Sequence, residues 1–210
     1  MKKAVMVFAI LSATGQIAAQ TNETLELTKL KFGFNIGLNY SNVITQGSPS
    51  ARSKNGAGFR LGLIMSEDIN ERFALSPKAE LSFNDCSVVY NPSGNLDVAY
   101  DVYPVNVDLM THVLYRLKNK KYKCYFLAGP NVKIPLMTEE VGGVQIVNAN
   151  KPGNNPDVAI DLGFGFEKNM KYFILAPELR YSFGLLNVNK DPSLDHVYFH
   201  NITFVINFKG

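Results

Sequence analysis

Beyond its first twenty residues the sequence has no apolar run approaching the about 18 to 20 residues that a membrane-spanning helix needs. A helical membrane protein is therefore excluded. Charged residues make up 19% of the chain, the formal net charge is +3, and no Lys/Arg tract suited to a phosphate backbone occurs. Binding to nucleic acid is therefore not expected.

Cysteine and histidine are scarce: the chain has Cys86 and Cys124, and the histidines His112, His196 and His200. Neither cysteine neighbours a histidine in sequence, so the usual spacings of zinc ligands are absent. The strand assignment below puts the cysteines near opposite ends of the molecule, too far apart for a disulfide. We expect two unpaired cysteines, no metal and no cofactor.

The first twenty residues have the pattern of a secretory signal. Basic Lys2 and Lys3 precede an apolar run at 4–13, and small residues at 17–19 offer a cleavage site before Gln20. A single membrane helix is the alternative, but the run is well short of the about 20 residues that a crossing needs. No cysteine lies at the cleavage point, so a lipid anchor is not expected.

The rest of the chain is rich in aromatic residues and alternates between apolar and polar residues. In residues 31–43, Phe32, Phe34, Ile36 and Leu38 alternate with Gly and Asn. Period-two alternation predicts β-strands, whereas a helix would repeat every 3.6 residues. Eight segments show it: 31–43, 58–66, 72–84, 103–117, 122–134, 158–167, 172–184 and 197–208.

The connections between these segments alternate in length. Short links near 67–71, 118–121 and 168–171 alternate with long ones at 44–57, 85–102, 135–157 and 185–196. An up-and-down meander puts the short links at one end and the long ones at the other, which is typical of outer-membrane barrels. Most segments also reach the about 9 to 11 residues that a tilted crossing strand needs.

We therefore predict an all-β fold, an eight-stranded antiparallel up-and-down transmembrane outer-membrane β-barrel. Its predicted organisation is a signal peptide at 1–19, a short periplasmic segment at 20–30 and the barrel at 31–210, with periplasmic termini and outer-membrane lipid around it. Aromatic residues such as Tyr40 and Tyr103 fall where the strands should meet the interfaces, which predicts two aromatic girdles.

The glycines indicate which face of each strand points outward. An exposed soluble strand gains nothing from Gly33, Gly37, Gly163 or Gly165, whereas in a narrow barrel they make room for long polar side chains. The apolar row is therefore predicted to face lipid and the polar row to face the lumen. A plain soluble barrel with an aromatic core is the alternative, and it does not explain the asymmetry of the loops.

The predicted lumen contains both signs of charge. Buried charges must be paired, so we expect a structural salt-bridge network that fills the lumen and excludes a wide pore. Lys123 and Lys133 are expected there too, and His112 is expected to pair with Asp108. The network residues are Arg60, Lys78, Glu80, Asp108, His112, Asp161, Glu178 and Arg180.

One cluster has the residue types of a hydrolase. Ser193, Asp195 and His196 lie close together in sequence at the predicted mouth of the last strand. Proximity in sequence gives no catalytic geometry, and any polar loop contains such residues. The Gly-x-Gly at 163–165 lies inside a strand and not before a helix, so it predicts no nucleotide site. We expect no enzyme and no catalytic residues.

Four stretches carry a resemblance to a known family: FGFNIGLNYSN, GFRLGLIMSEDINERFALSPKAELSF, YRLKNKKYKCYFLAGPN and DLGFGFEKNMKYFILAPELRYSFGLLN. The chain resembles the PorT/SprT-like outer-membrane barrels of the Bacteroidetes, most specifically in PELRYSFGLL. It departs from them at the fourth strand, where only Pro104 matches, and at its end, where two residues follow Phe208.

The resemblance implies a barrel that supports protein secretion of type IX, and gliding where that occurs, through contacts with other envelope proteins. The barrel would not itself be the conduit. The alternative is a stand-alone surface barrel that binds a host or nutrient ligand through its long loops, above all 135–157. A rim enzyme using Asp195 and His196 is the third hypothesis.

Overall fold

The computed structural model describes residues 30–46, 51–90, 98–117, 123–137, 155–189 and 196–210. The predicted signal peptide and nearly all of the segment that follows it lie outside these residues. No helix able to span a membrane occurs among the described residues. Their strands are β1 (Leu30–Gln46), β2 (Arg52–Lys54), β3 (Gly56–Asp68), β4 (Phe73–Asn84), β5 (Ser87–Tyr90), β6 (Val98–Asp101), β7 (Val105–Arg116), β8 (Lys123–Met137), β9 (Asp157–Asn169), β10 (Ile174–Gly184) and β11 (His196–Lys209).

Eight long strands close into a barrel in the order β1-β11-β10-β9-β8-β7-β4-β3. Every neighbouring pair is antiparallel, and β11 closes the barrel against β1, with Phe208 opposite Phe34 and Ile202 opposite Tyr40. The predicted eight-stranded up-and-down barrel is confirmed. The eight predicted segments coincide with these strands, because long strands with one apolar face carry a sustained period-two pattern.

The two ends of the barrel differ. The turn end carries the short β3–β4, β7–β8 and β9–β10 connections, and the loop end carries the long ones. Asn70 fixes the β3–β4 turn, because its side-chain oxygen accepts hydrogen bonds from the backbone N–H groups of Arg72 and Phe73 at 2.9 and 2.8 Å. Cys86 follows β4 at the loop end and Cys124 is the second residue of β8, near the turn end, so the two free cysteines lie far apart, as predicted.

The apolar row of β1 points outward. Phe32 and Leu38 are 60% and 68% exposed, whereas Asn35 and Asn39 are 2% and 3% exposed. The same alternation holds around the barrel, where large apolar side chains cover the outer wall and polar ones line the lumen. The predicted orientation of the two faces is confirmed, and a soluble barrel with an apolar interior is excluded.

A second sheet, which the alternation did not predict, lies at the loop end. Strands β2, β5 and β6 pair in the order β2-β5-β6, within the segments 44–57 and 85–102 that were predicted to be loops. These strands have three or four residues, too few to show a period. The cap, as we call this sheet and the residues packed beneath it, has a buried core of Val43, Cys86, Val88, Tyr90, Val102, Tyr103, Val188, Val197 and Phe199.

Tyr103 belongs to the cap core and not to an aromatic girdle, so that prediction was wrong. The chain turns at this residue, which has a positive φ of 52°, and β7 begins only at Val105. The ring is fully buried and meets Phe199 edge to face at 5.0 Å between centroids. Its hydroxyl donates a hydrogen bond to the backbone carbonyl of Asn155. Tyr103 therefore ties the start of β7 to the segment before β9.

Candidate functional site

The most concentrated chemistry among the described residues lies inside the barrel, in what we call the central layer. Inward positions of β3, β4, β7, β9 and β10 supply its charged side chains, and none is more than 5% exposed. The structure brings together all eight residues of the predicted salt-bridge network. With Lys133 from β8, the central layer consists of Arg60, Lys78, Glu80, Asp108, His112, Lys133, Asp161, Glu178 and Arg180.

Glu80 is the hub of the central layer. One carboxylate oxygen accepts from Arg60 Nη1 at 3.0 Å and from Arg180 Nη2 at 2.6 Å. The other oxygen accepts from the side-chain amide of Asn35 at 2.8 Å. A carboxylate that is fully desolvated is stabilised by such charge-assisted hydrogen bonds, and here they join β1, β3, β4 and β10 across the lumen.

Arg180 and Lys78 share a second carboxylate. Glu178 Oε1 accepts from Lys78 Nζ at 2.6 Å and lies 3.4 Å from Arg180 Nη1. Its other oxygen accepts from the Tyr125 hydroxyl at 3.1 Å. Because Arg180 contacts both Glu80 and Glu178, the charges form one connected network that fills the cross-section of the barrel.

His112 pairs with Asp161, and its predicted pairing with Asp108 was wrong. His112 Nε2 lies 3.0 Å from Asp161 Oδ2. Two residues four apart on one strand are separated by about 13 Å, so Asp108 is out of reach of His112 along β7. Asp108 instead lies 3.2 Å from Arg60 Nη1 and 3.8 Å from Lys133 Nζ.

A second set of charges, the turn-end belt, surrounds the lumen at the turn end. Arg116 bridges Asp68 at 2.6 Å and Glu167 at 3.2 Å. Lys31 bonds Asp68 at 2.6 Å and Lys209 bonds Glu167 at 2.9 Å, so the belt joins the first and last strands to β3, β7 and β9. Lys31, Arg116 and Glu167 lie within the predicted segments, and Asp68 and Lys209 lie just beyond them. Extending the alternation by one or two residues would have found Asp68 and Lys209 as well.

Lys123 was predicted to lie in the lumen, but the structure leaves its side chain exposed. Lys123 is an even number of residues from Tyr125 and Lys133, so it belongs to the inward-facing row of β8, and it is the first residue of that strand. At the end of a strand the wall no longer encloses an inward side chain, so the ammonium group reaches solvent.

Buried apolar residues lie between these two sets of charges on one side of the lumen, and also at the loop end. Along β7 from the turn end, the inward residues are Arg116, Leu114, His112, Met110 and Asp108. Leu114 packs with buried Ala74, Tyr125 and Leu127 in a cluster between the turn-end belt and the central layer. The cap core lies at the loop end. The Leu114 cluster comes from the adjacent strands β4, β7 and β8, so it lies on one side of the lumen.

Glycines make room for the large interior side chains. A Cβ on Gly62 would lie 2.7 Å from Glu80 Cγ, and one on Gly165 would lie 2.6 Å from Tyr125 Cζ. Both distances are well inside van der Waals contact. The space beside Glu80 and Tyr125 therefore exists because these positions have no side chain, which is the role that the sequence predicted for the strand glycines.

The hydrolase-like cluster is only partly described, since Ser193 and Asp195 lie outside the described residues. His196 begins β11, and its ring stacks on Tyr198 at 6.2 Å between centroids. Among the described residues, no group of three or more His, Cys, Asp or Glu could hold a metal ion.

A comparison with protein families agrees with this architecture. Residues 18–190 match the family described as "Outer membrane protein beta-barrel domain". Ail, the attachment invasion locus protein of Yersinia pestis, is 13% identical with a TM-score of 0.45, and the match covers 86% of this chain and 98% of Ail. Neisserial surface protein A is 10% identical with a TM-score of 0.48, covering 85% of this chain and 97% of that chain.

A further solved structure, OprG from Pseudomonas aeruginosa, is 11% identical with a TM-score of 0.47, and the match covers 86% of this chain and 91% of OprG. A comparison with curated proteins returned no match.

Proposed function

Because this chain belongs to the outer membrane protein β-barrel domain family, and so lies in outer-membrane lipid, we propose that it supports protein secretion through contacts with other envelope proteins. The turn end faces the periplasm in this proposal, and the loop end with its cap faces the outside. The barrel is a membrane-anchored scaffold and conducts no cargo.

The closed interior is the observation that carries the proposal. The central layer spans the lumen, with Glu80 and Arg180 bonded at 2.6 Å in its middle. Opening a path would separate several buried ion pairs and leave charges unpaired, at a cost of several kcal/mol for each ion. A barrel that cannot conduct acts through its surfaces, and those available for partners are the turn end, the loop end and the outer wall.

The secretion role itself follows from the resemblance to the PorT/SprT-like barrels, above all in Pro177–Leu185 of β10 and the residues after it. The stretch forms part of the outer wall and of the central layer. Its inward residues Glu178 and Arg180 hold the network together, while Leu179, Tyr181 and Phe183 are exposed on the outside. The resemblance implies a type IX system, and gliding where that occurs.

Deleting the gene and measuring secreted cargo tests this proposal. We expect loss of cargo from the medium with cargo retained in the periplasm, and restoration by the wild-type gene. The unchanged abundance of other outer-membrane proteins serves as the control. Normal secretion in the deletion strain would refute the proposal.

Binding of a host or nutrient ligand at the loop end is the second candidate, and the cap favours it. A three-stranded sheet with its own apolar core gives the loops a fixed base, and Arg52, Ser53 and Lys54 on β2 are exposed there. Replacing residues 138–154 by a short turn would abolish surface binding and leave secretion intact under this candidate. Surface binding that survives this replacement would count against the second candidate.

We propose no catalytic role for the loop end. His196→Ala is expected to leave secretion and surface binding at wild-type levels, because the contact of this ring among the described residues is stacking on Tyr198. Loss of a hydrolytic activity in this variant would revive the rim-enzyme hypothesis.

A further inference from the structure

The outer wall carries two apolar grooves in its turn-end half. The β8 groove, of about 370 Å³, crosses β7, β8 and β9 and is lined by Tyr115, Phe126, Ala128, Leu162 and Gly163 among others. The β3 groove, of about 420 Å³, crosses β1, β3 and β4 and is lined by Phe32, Leu63, Pro77 and Ala79 among others. The two have similar size and composition, so any difference between their ligands must come from their surroundings.

The β8 groove exists because a small residue stands among large ones. Ala128 points outward between outward-facing Tyr115, Phe126 and Leu162, and its methyl group leaves unfilled space. The floor includes the backbone of Gly163. A groove of this kind on a lipid-facing wall accepts an apolar chain lying along the wall.

A continuous apolar track leads from this groove to a lysine. On the outward face of β9, Leu162, Phe164 and Phe166 are 56%, 55% and 41% exposed, and Lys168 follows on the same face. Six residues span about 20 Å along a strand, and a tilt of about 40° reduces this to about 15 Å of depth. That depth is one leaflet of a hydrocarbon core of about 30 Å.

The turn-end side of the β8 groove is basic. Lys123, Lys168 and Lys171 are exposed there, with no exposed carboxylate among the described residues 123 and 168–173. The nearby carboxylate of Glu167 turns inward to the turn-end belt. Lys171 Nζ lies 5.1 Å from the ring centre of Tyr172, which is 81% exposed. A tyrosine beside a lysine at the end of an apolar wall is typical of the lipid headgroup level.

The β3 groove ends in different surroundings. The exposed charges at its turn-end side are Glu67, Glu71 and Arg72, and Lys31 is held by Asp68 at 2.6 Å. Among the residues that the structure describes, the exposed charges sum to −1 there and to +3 beside the β8 groove. The two grooves therefore form a natural pair in which only the charge at the headgroup level differs in sign.

We propose that the β8 groove and its three lysines bind an anionic phospholipid of the leaflet at the turn end. An acyl chain lies along Leu162, Phe164 and Phe166 with its end in the groove, and the phosphate contacts Lys168, with Lys171 and Lys123 beside it. The charge of the site selects an anionic headgroup over a zwitterionic one. The site depends on the location of the barrel in a membrane and is independent of secretion.

Tryptophan fluorescence tests the proposal, because the chain contains no Trp. Phe126→Trp places a single reporter at the β8 groove, and Leu63→Trp places a matched one at the β3 groove. Each protein is reconstituted in two kinds of phosphatidylcholine vesicle. One contains a small fraction of phosphatidylglycerol with brominated chains, and the other contains the same fraction of phosphatidylcholine with brominated chains. We expect brominated phosphatidylglycerol to quench Phe126→Trp with an apparent affinity about five- to tenfold higher than that of brominated phosphatidylcholine. A factor of this size corresponds to roughly one lysine contact with an anionic headgroup. Leu63→Trp is expected to show no preference.

Neutralising the lysines distinguishes binding at the β8 groove from a general electrostatic attraction of anionic lipid to the protein. In the Phe126→Trp background, Lys168→Gln with Lys171→Gln should remove the preference, whereas Lys54→Gln at the loop end should retain it. Heat-modifiable migration checks that each variant folds. Equal quenching of Phe126→Trp by the two lipids, or a preference that survives loss of both lysines, would overturn the proposal. So would shielding of Phe126→Trp from both lipids, because that result assigns the groove to a second copy or another protein.

Discussion

Glu80 joins two arginines in the middle of the barrel interior. It accepts hydrogen bonds from Arg60, Arg180 and Asn35, and its side chain is completely buried. Two guanidinium groups are therefore held inside the membrane by one carboxylate, together with Asp108 on one side and Glu178 and Asp161 on the other.

Glu80→Gln is expected to lower the free energy of unfolding by about 3 to 5 kcal/mol, because it leaves buried positive charge without its main partner. Urea titration of the protein folded in vesicles measures the change. Glu67→Gln, an exposed carboxylate at the turn end, is the control and should change stability by less than about 0.5 kcal/mol. A loss in Glu80→Gln no larger than in the control would contradict the assigned role.

Cys86 and Cys124 should differ sharply in reactivity. Cys86 lies in the cap core and its Sγ is 3.1 Å from the carbonyl oxygen of Val102. Burial raises the pKa of this thiol to about 12, so the reactive thiolate is almost absent near pH 8. Cys124 is partly exposed.

Maleimide labelling of the folded protein at about pH 8 should modify Cys124→Ser at least about tenfold more slowly than Cys86→Ser, and unfolding should abolish the difference. Fast labelling of Cys86 in the folded protein would show that the cap core is open.

Single inward positions were predictable from the sequence, but their partners were not. Successive side chains of a strand point to opposite faces, so the alternation of polar and apolar residues assigns Glu80, His112 and Arg180 to the lumen. The partner of His112 depends on how strands distant in sequence are placed around the closed barrel. That placement follows from barrel closure and tilt, which no local pattern records.

The cap is the element that distinguishes this barrel from a bare eight-stranded one. Its sheet pairs β5 with both β2 and β6, and its core includes side chains from β1 and β11 as well. The long barrel strands were predictable because 11 to 17 residues show a sustained period. Strands β2, β5 and β6 are held by tertiary packing, so their short stretches resemble loops in the sequence.

Val88→Asp is expected to detach the cap while the barrel stays folded. Val88 is fully buried in the cap core, and a carboxylate there would be desolvated without a partner. Protease added to intact cells should then cut within residues 85–102, while heat-modifiable migration remains. Val89→Asp, on the partly exposed face of the same strand, is the control. Protease resistance in Val88→Asp equal to that of the control would show that the cap core does not hold the sheet.

For the whole molecule, the outer apolar wall and the closed hydrogen-bonded ladder predict the behaviour of an integral barrel. Each of the eight barrel strands is hydrogen-bonded to a neighbour on both sides, so the barrel exposes no unpaired strand edge to lipid. The protein should migrate faster unheated than heated on a gel and should stay in the membrane in sodium carbonate. Extraction by carbonate would contradict a lipid-facing wall.

Conductance tests most directly the central claim that the barrel is closed and acts through its surfaces. The purified protein, folded and inserted in a planar bilayer, should give no channel steps, because the buried ion pairs of the central layer fill the lumen. Heat-modifiable migration of the same preparation confirms that folded protein was added. Reproducible ohmic steps from the wild-type protein would show an open lumen and contradict the account.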